Sequence, residues 1–142
     1  MFDILNCKLH HVAIQTADFD RAYRFYAELI GLPVIRAPYD FKNKRTMAWL
    51  DAGGALIELY SVKRDTVAEP YNAQRVGTDH ISFVTPDMDV FLEKIKVNNI
   101  KVVKNPFTPP NDPNKPLVMF IRGPDGEEIE ITSYGKDEDK NG

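Results

Sequence analysis

A single cysteine, Cys7, stands among 142 residues, so no disulfide can close within the chain. The expected role of Cys7 is that of a small, buried or half-buried apolar residue in a reducing compartment. No apolar stretch approaches the roughly 20 residues needed to cross a bilayer as a helix. The first residues, Met1-Phe2-Asp3-Ile4-Leu5-Asn6, lack the basic start and apolar run of a secretory signal, which points to a cytoplasmic protein. There is no excess of positive charge either. The net charge of −3 gives nucleic acid or an anionic membrane nothing to attract, so neither is an expected partner. What is present is an ordinary globular composition, 43% hydrophobic and 11% aromatic. A chain of this length buries roughly 68–70% of its unfolded surface, enough for a real core.

Against this background one pattern stands out. His11-Val12-Ala13-Ile14-Gln15-Thr16-Ala17-Asp18-Phe19-Asp20 aligns without a gap on His80-Ile81-Ser82-Phe83-Val84-Thr85-Pro86-Asp87-Met88-Asp89. Each copy later reaches a short acidic strand, Leu56-Ile57-Glu58-Leu59-Tyr60-Ser61 in the first and Glu128-Ile129-Glu130-Ile131-Thr132-Ser133 in the second. Each half therefore offers one His and one Glu at matching places.

The periodicities around the repeat predict the same element order twice. In module one, about residues 8–62, a strand runs from Leu9 to Gln15. Asp18 is placed to cap a helix whose apolar positions are Ala22, Phe25, Tyr26 and Leu29, and Gly31 ends it. Strands follow over Leu32–Arg36, Thr46–Leu50 and Ala55–Ser61, the last two joined by a Gly53-Gly54 turn. In module two, about residues 78–134, the strand is Asp79–Thr85. Asp87 caps a helix carrying Met88, Phe91, Leu92 and Ile95, with Asn98-Asn99 as its stop. Strands are then expected over Ile100–Lys104, Leu117–Arg122 and Glu127–Ser133, with Pro124-Asp125-Gly126 as the last turn. Residues 63–77 read as a linker, and 105–116, with five prolines, as an irregular loop. The charged tail 135–142 reads as flexible. The fold class is α+β: one domain of two tandem βαβββ modules.

Strand alternation sharpens the chemistry. If Val12 and Ile14 pack, His11 faces the other way with Ala13 and Gln15. The same logic turns His80 away from Ile81 and Phe83, Glu58 away from Ile57 and Leu59, and Glu130 away from Ile129 and Ile131. One strand His is usually an ordinary polar contact, and alternating Glu residues usually form a solvated face. Duplication could also copy a His by inheritance. Still, two of the three histidines occupy matched positions, each with a Glu to match. His10 falls on the opposite face and is read as a structural or surface residue. Two imidazoles and two carboxylates suit a divalent ion, and six-coordination leaves two positions open where closed tetrahedral zinc leaves none. A cation with open positions polarises a carbonyl, and a neighbouring Glu can take an adjacent proton.

The segments "LHHVAIQTADFDRAYRFYAELIGLPV", "ALIELYS", "TDHISFVTPDMD" and "FIRGPDGEEIEI" together resemble the vicinal oxygen chelate superfamily, the glyoxalase and bleomycin-resistance group. The resemblance spans about residues 8–134. It implies that the paired modules form a curved mixed sheet around a metal cleft, that His11, Glu58, His80 and Glu130 are the metal ligands and that the protein forms a homodimer. A His, Glu, His, Glu set is most like metal-dependent glyoxalase I, activated by nickel or cobalt, with zinc or manganese as other candidate ions. In that branch Glu130 or Glu58 would shuttle the proton of a hemithioacetal substrate. Two positions depart from the branch. Glyoxalase I enzymes carry an Arg four residues after the first ligand and an Asn four residues after the second, both serving glutathione. Here Gln15 and Val62 stand there. The candidate holders of an anionic substrate are Lys44, Arg45, Lys115 and Arg122, each of which can equally be a solvated surface charge. A lactoylglutathione lyase-like lyase or isomerase is therefore the leading expectation. An acyl-CoA epimerase of the methylmalonyl-CoA type and a non-catalytic bleomycin-resistance-type binding protein are the alternatives.

Overall fold

A computed structural model describes residues 4–42, 45–62 and 69–135. The chain divides into two compact units, Met1–Val67 and Ala68–Gly142. Each holds one four-stranded mixed sheet. The linker expected over 63–77 lies outside the described residues as far as 68, as does the tail from 136 on.

In the first unit the elements are β1 (His11–Thr16), α1 (Phe19–Arg24), β2 (Val34–Phe41), β3 (Arg45–Asp51) and β4 (Leu56–Ser61). The sheet order is β1-β4-β3-β2, with β1 and β4 parallel and the other pairs antiparallel. The parallel pair needs a long crossover, and α1 with β2 and β3 supplies it. Asp18 caps α1 as expected, its carboxylate accepting from the Arg21 N–H at 3.1 Å. The helix does not stay α-helical to its end. Phe25–Leu29 form a π-helical turn, in which the Ile30 N–H donates to the Phe25 carbonyl at 2.9 Å. Gly31, at φ +86°, then closes it, a backbone setting that a side chain would strain. Ala22, Phe25, Tyr26 and Leu29, the positions read from helical spacing, are all buried, together with Leu50, Ile57 and Leu59 from the sheet.

The second unit repeats the plan with β5 (Ile81–Val84), α2 (Met88–Val97), β6 (Val102–Phe107), β7 (Leu117–Arg122) and β8 (Glu128–Ser133), in sheet order β5-β8-β7-β6. Asp87 caps α2 by accepting from the N–H groups of Asp89 and Val90. Asn99, at φ +53°, follows the helix in the left-handed region expected of it. Met88, Phe91, Ile95, Met119, Ile121, Ile129 and Ile131 form the core.

Three expectations are corrected. The outer strands are longer than read: β2 runs past Arg36 to Phe41, and β6 past Lys104 to Phe107, into the stretch taken for a loop. Both contain a proline, Pro38 and Pro106, beside a register irregularity. A proline ends a central strand, but β2 and β6 are edge strands with one side unpaired, where the missing N–H costs little. Cys7 is exposed, as is every residue from 4 to 10 ahead of β1. Glu58 is buried rather than set on an open face, whereas Glu130, on the equivalent interior strand of the second sheet, is half-buried.

Candidate metal centre

The register of the parallel pairs decides which side chains meet. In the first unit Ala13 pairs with Glu58, and Trp49 on β3 pairs with Glu58 from the other side. His11 lies two residues before Ala13 on the same face. Its Nε2 comes within 3.5 Å of the Glu58 Oε2. The Trp49 ring stands edge-on to the His11 imidazole, with centroids 5.1 Å apart. In the second unit Ser82 pairs with Glu130, and Phe120 on β7 pairs with Glu130 from the other side. The His80 Nε2 lies 3.6 Å from the Glu130 Oε2. The Phe120 ring stands edge-on to His80 at 5.5 Å. The structure thus builds one His–Glu pair in each unit, each with an aromatic wall. Sequence reading missed Trp49 and Phe120. Their signal was the antiparallel pairing opposite each Glu, which one strand's alternation does not reveal.

The inner nitrogens are gripped as well. His80 Nδ1 donates to the Asp79 carboxylate at 2.6 Å. At the matching place in the first unit, the Nδ1 atoms of His10 and His11 are 2.7 Å apart. His10 was expected on the opposite face. It lies one residue before β1, where pleat alternation no longer governs direction, and its ring swings onto His11 instead. In the tautomer that carries its proton on Nδ1, each of these imidazoles would have an Nε2 lone pair available to a cation.

The carboxylates are held differently. Glu130 is the more open, its side chain 22% exposed against 7% for Glu58. The Ser82 and Thr132 hydroxyls donate to its Oε1 at 2.8 and 3.1 Å, which leaves Oε2 for His80. Glu58 accepts from the Tyr60 hydroxyl, and this hydrogen bond, aided by burial, raises the Tyr60 pKa above its ordinary value. Tyr60 and Thr132 occupy equivalent positions, two residues beyond each Glu.

The donor set fits a divalent cation. Two ligands bonded to one ion at about 2.1 Å lie roughly 3.0–3.4 Å apart, close to the separation found in each pair. A bound imidazole whose other N–H is held by a carboxylate or a second acceptor is the usual support for such an ion. Among the described residues, no three His, Cys, Asp or Glu side chains stand together as one metal-binding group, so each pair by itself offers two donors.

The expected anion holders divide sharply. Lys44 lies outside the described residues. Lys115 is exposed, at φ +48° in a turn. Arg122 is engaged by Glu128 at 3.8 Å and stacks over the Tyr71 ring at 4.2 Å. Arg45 donates through Nη2 to the Gln15 side-chain oxygen at 2.6 Å and through Nε to the Ser61 carbonyl at 3.0 Å. Val62 is half-buried, and its N–H donates to the Thr16 carbonyl at 3.0 Å.

The family profile described as the Glyoxalase/Bleomycin resistance protein/Dioxygenase superfamily matches residues 8–131. The chain belongs to that superfamily. A probable lactoylglutathione lyase of Synechocystis is 28% identical over 135 residues, covering 91% of this chain and 98% of its own. A chloroplastic probable lactoylglutathione lyase of Arabidopsis thaliana is 27% identical, but this chain spans only 36% of its length. Among solved superfamily structures, the trypanothione-dependent glyoxalase I of Leishmania major superposes with a TM-score of 0.70 at 22% identity, over 91% of this chain and 88% of that one. A glyoxalase family protein of Enterococcus faecalis gives 0.71 at 18% identity, over 91% and 99%. These likenesses bear out the expected α+β fold of paired βαβββ modules. Among the described residues, no helix is long and apolar enough to cross a membrane.

Proposed function

We propose that this protein is a metal-dependent lyase or isomerase of the glyoxalase I type, with His11, Glu58, His80 and Glu130 as ligands of one divalent ion. Nickel, cobalt, zinc and manganese all suit the donors. The observation that carries the reading is the duplication of the His–Glu pair at 3.5 and 3.6 Å, each imidazole gripped from behind. The names of the Synechocystis and Arabidopsis relatives support it. When bound, the ion supplies a Lewis acid that polarises a substrate carbonyl and makes the adjacent C–H acidic.

The residues of the chain do the rest. His11 and His80 present Nε2 in the neutral tautomer. Glu130 takes the proton from the substrate carbon and returns it to the neighbouring carbon. It suits the task better than Glu58 because it is the more accessible of the two and because two hydroxyls orient one of its oxygens. Glu58, buried and bonded to Tyr60, serves as a fixed ligand. Trp49 and Phe120 limit the rotation of the two imidazoles and exclude water from one side of each. The protein acts as a cytoplasmic homodimer on a small molecule.

Elemental analysis of the untagged protein is expected to find one divalent ion per chain. Chelation should abolish turnover of a methylglyoxal hemithioacetal, and nickel or cobalt should restore it. Glu130→Gln should lower kcat by about 10²–10⁴-fold. Full turnover by the chelated protein or by the Glu130→Gln variant would overturn the assignment. Gln15 and Val62, where glutathione-binding groups are expected, favour a second reading on the same site: epimerisation of an acyl thioester. Solvent-deuterium exchange into CoA esters but not into hemithioacetals would select it.

A further inference from the structure

We infer that Arg45 and Gln15 form an anion-binding subsite on the metal-binding face of the first sheet, and that the substrate carries a carboxylate or phosphate group. The inference rests on the proposed reading for what stands at the other end of the substrate, and on the geometry of the first unit for the subsite itself.

Side chains two residues apart share a face of a strand. His11, Ala13 and Gln15 therefore line one face of β1, and Trp49, Met47 and Arg45 line one face of β3. Trp49 reaches His11 and Arg45 reaches Gln15, so both rows lie on the same side of the sheet. Between them on β4 stand Glu58 and Tyr60. Gln15 pairs with Tyr60 in the register, and the Arg45 guanidinium lies 4.8 Å from the Tyr60 ring centroid. Four residues along a strand span about 13 Å. The guanidinium therefore sits roughly that far along the face from the His11 backbone.

Its partners are all neutral: an amide oxygen, a main-chain carbonyl and an aromatic face. Among the described residues, Arg45 makes no ion pair, unlike Arg122, which Glu128 engages. Two hydrogen bonds and a stacked ring hold the fork in place while Nη1 keeps both of its N–H donors unengaged by these bonds. Because the Gln15 oxygen accepts from Arg45, its NH2 group points elsewhere and adds further donors beside the fork. A planar cationic fork with an adjacent amide recognises a carboxylate or phosphate in bidentate fashion. Gln15 alone lacks charge, but Arg45 delivers it to the same place from another strand. The substrate is then longer than a bare hydroxy-carbonyl compound, because its anion must lie well removed from the oxygens at the ligands.

Two measurements on the full chain test this. The first compares methylglyoxal hemithioacetals of 3-mercaptopropionate and of 2-mercaptoethanol, and those of pantetheine 4′-phosphate and of pantetheine. Arg45→Gln should lower the ratio of kcat/KM for the anionic over the neutral member by about tenfold or more, and Arg45→Lys should recover part of it. A ratio that does not move, or a fall shared equally by both members, overturns the subsite. The second measurement needs no turnover. The ¹⁵Nε resonance of Arg45 in metal-free protein is titrated with 3-mercaptopropionate and, separately, with inorganic phosphate. A saturable shift with one anion supports the subsite and tells carboxylate from phosphate. No shift with either overturns it. A shift in protein that turns over none of the adducts keeps the subsite and rejects the lyase reading.

Discussion

At the scale of single residues, each of the two imidazoles is held by the residue just before it. A ligand histidine that is free to rotate or change tautomer loses affinity, so under the proposed reading this contact matters. Asp79 makes it with a carboxylate, and His10 with a ring nitrogen. Asp79→Ala should therefore weaken divalent-ion binding by about 10–100-fold. Competition against a chromogenic chelator would read the loss, and far-UV circular dichroism should show an unaltered fold. An unchanged affinity would mean that Asp79 only decorates the surface. His11, Glu58, His80 and Glu130 were legible because they repeat. The grip was not, because alternation speaks only for residues inside a strand, and both His10 and Asp79 precede one. The aromatic walls escaped for a different reason. Trp49 and Phe120 meet the histidines only through β3 and β7, and which strand neighbours which is a tertiary fact.

At the scale of elements, the second copy keeps the register of the first. The parallel pair sets Ala13 opposite Glu58 and Ser82 opposite Glu130, so each His falls two residues before the partner of its Glu. A one-residue slip would send His and Glu to opposite faces, so the pair depends on this register. Helix and strand order was readable from periodicity, but the far ends of the outer strands were not, since Pro38 and Pro106 imitate strand ends. Each proline sits between a cation and an aromatic that meet across the irregularity: Arg36 lies 3.5 Å from the Tyr39 ring centroid and Lys104 3.8 Å from that of Phe107. The helix caps differ in a way that can be measured. Asp87 serves two N–H groups and Asp18 one. Asp87→Ala should cost about 1 kcal/mol of stability and Asp18→Ala less, as read by urea unfolding. The reverse order would show that the second N–H bond contributes little. Leu59→Ala, which empties a fully buried site beside Glu58 on β4, should cost about 2–5 kcal/mol in the same assay.

At the scale of the whole molecule, the two units carry matched His–Glu pairs whose surroundings are not alike. One carries a buried carboxylate bonded to a tyrosine and, on the same face, an arginine that makes no ion pair among the described residues. The other carries an accessible carboxylate between two small hydroxyls. That division suits a site in which one half fixes the ion and the anionic end of a substrate while the other moves the proton. It makes a demand on stoichiometry. If one ion draws on both half-sites, His11→Ala and His80→Ala should each remove nearly all of the bound metal, and the double variant should lose little more. If the half-sites bind independently, each single variant should keep about half. Thermal unfolding gives a second view of the same question. An ion present at 100 times its dissociation constant stabilises the folded protein by about 2.7 kcal/mol. Under the shared reading, either histidine substitution cancels that rise in Tm, because a two-donor site is too weak to hold the ion at the same concentration. A Tm rise that survives in both single variants would separate the half-sites and, with them, the reason for keeping two copies of a His-led strand.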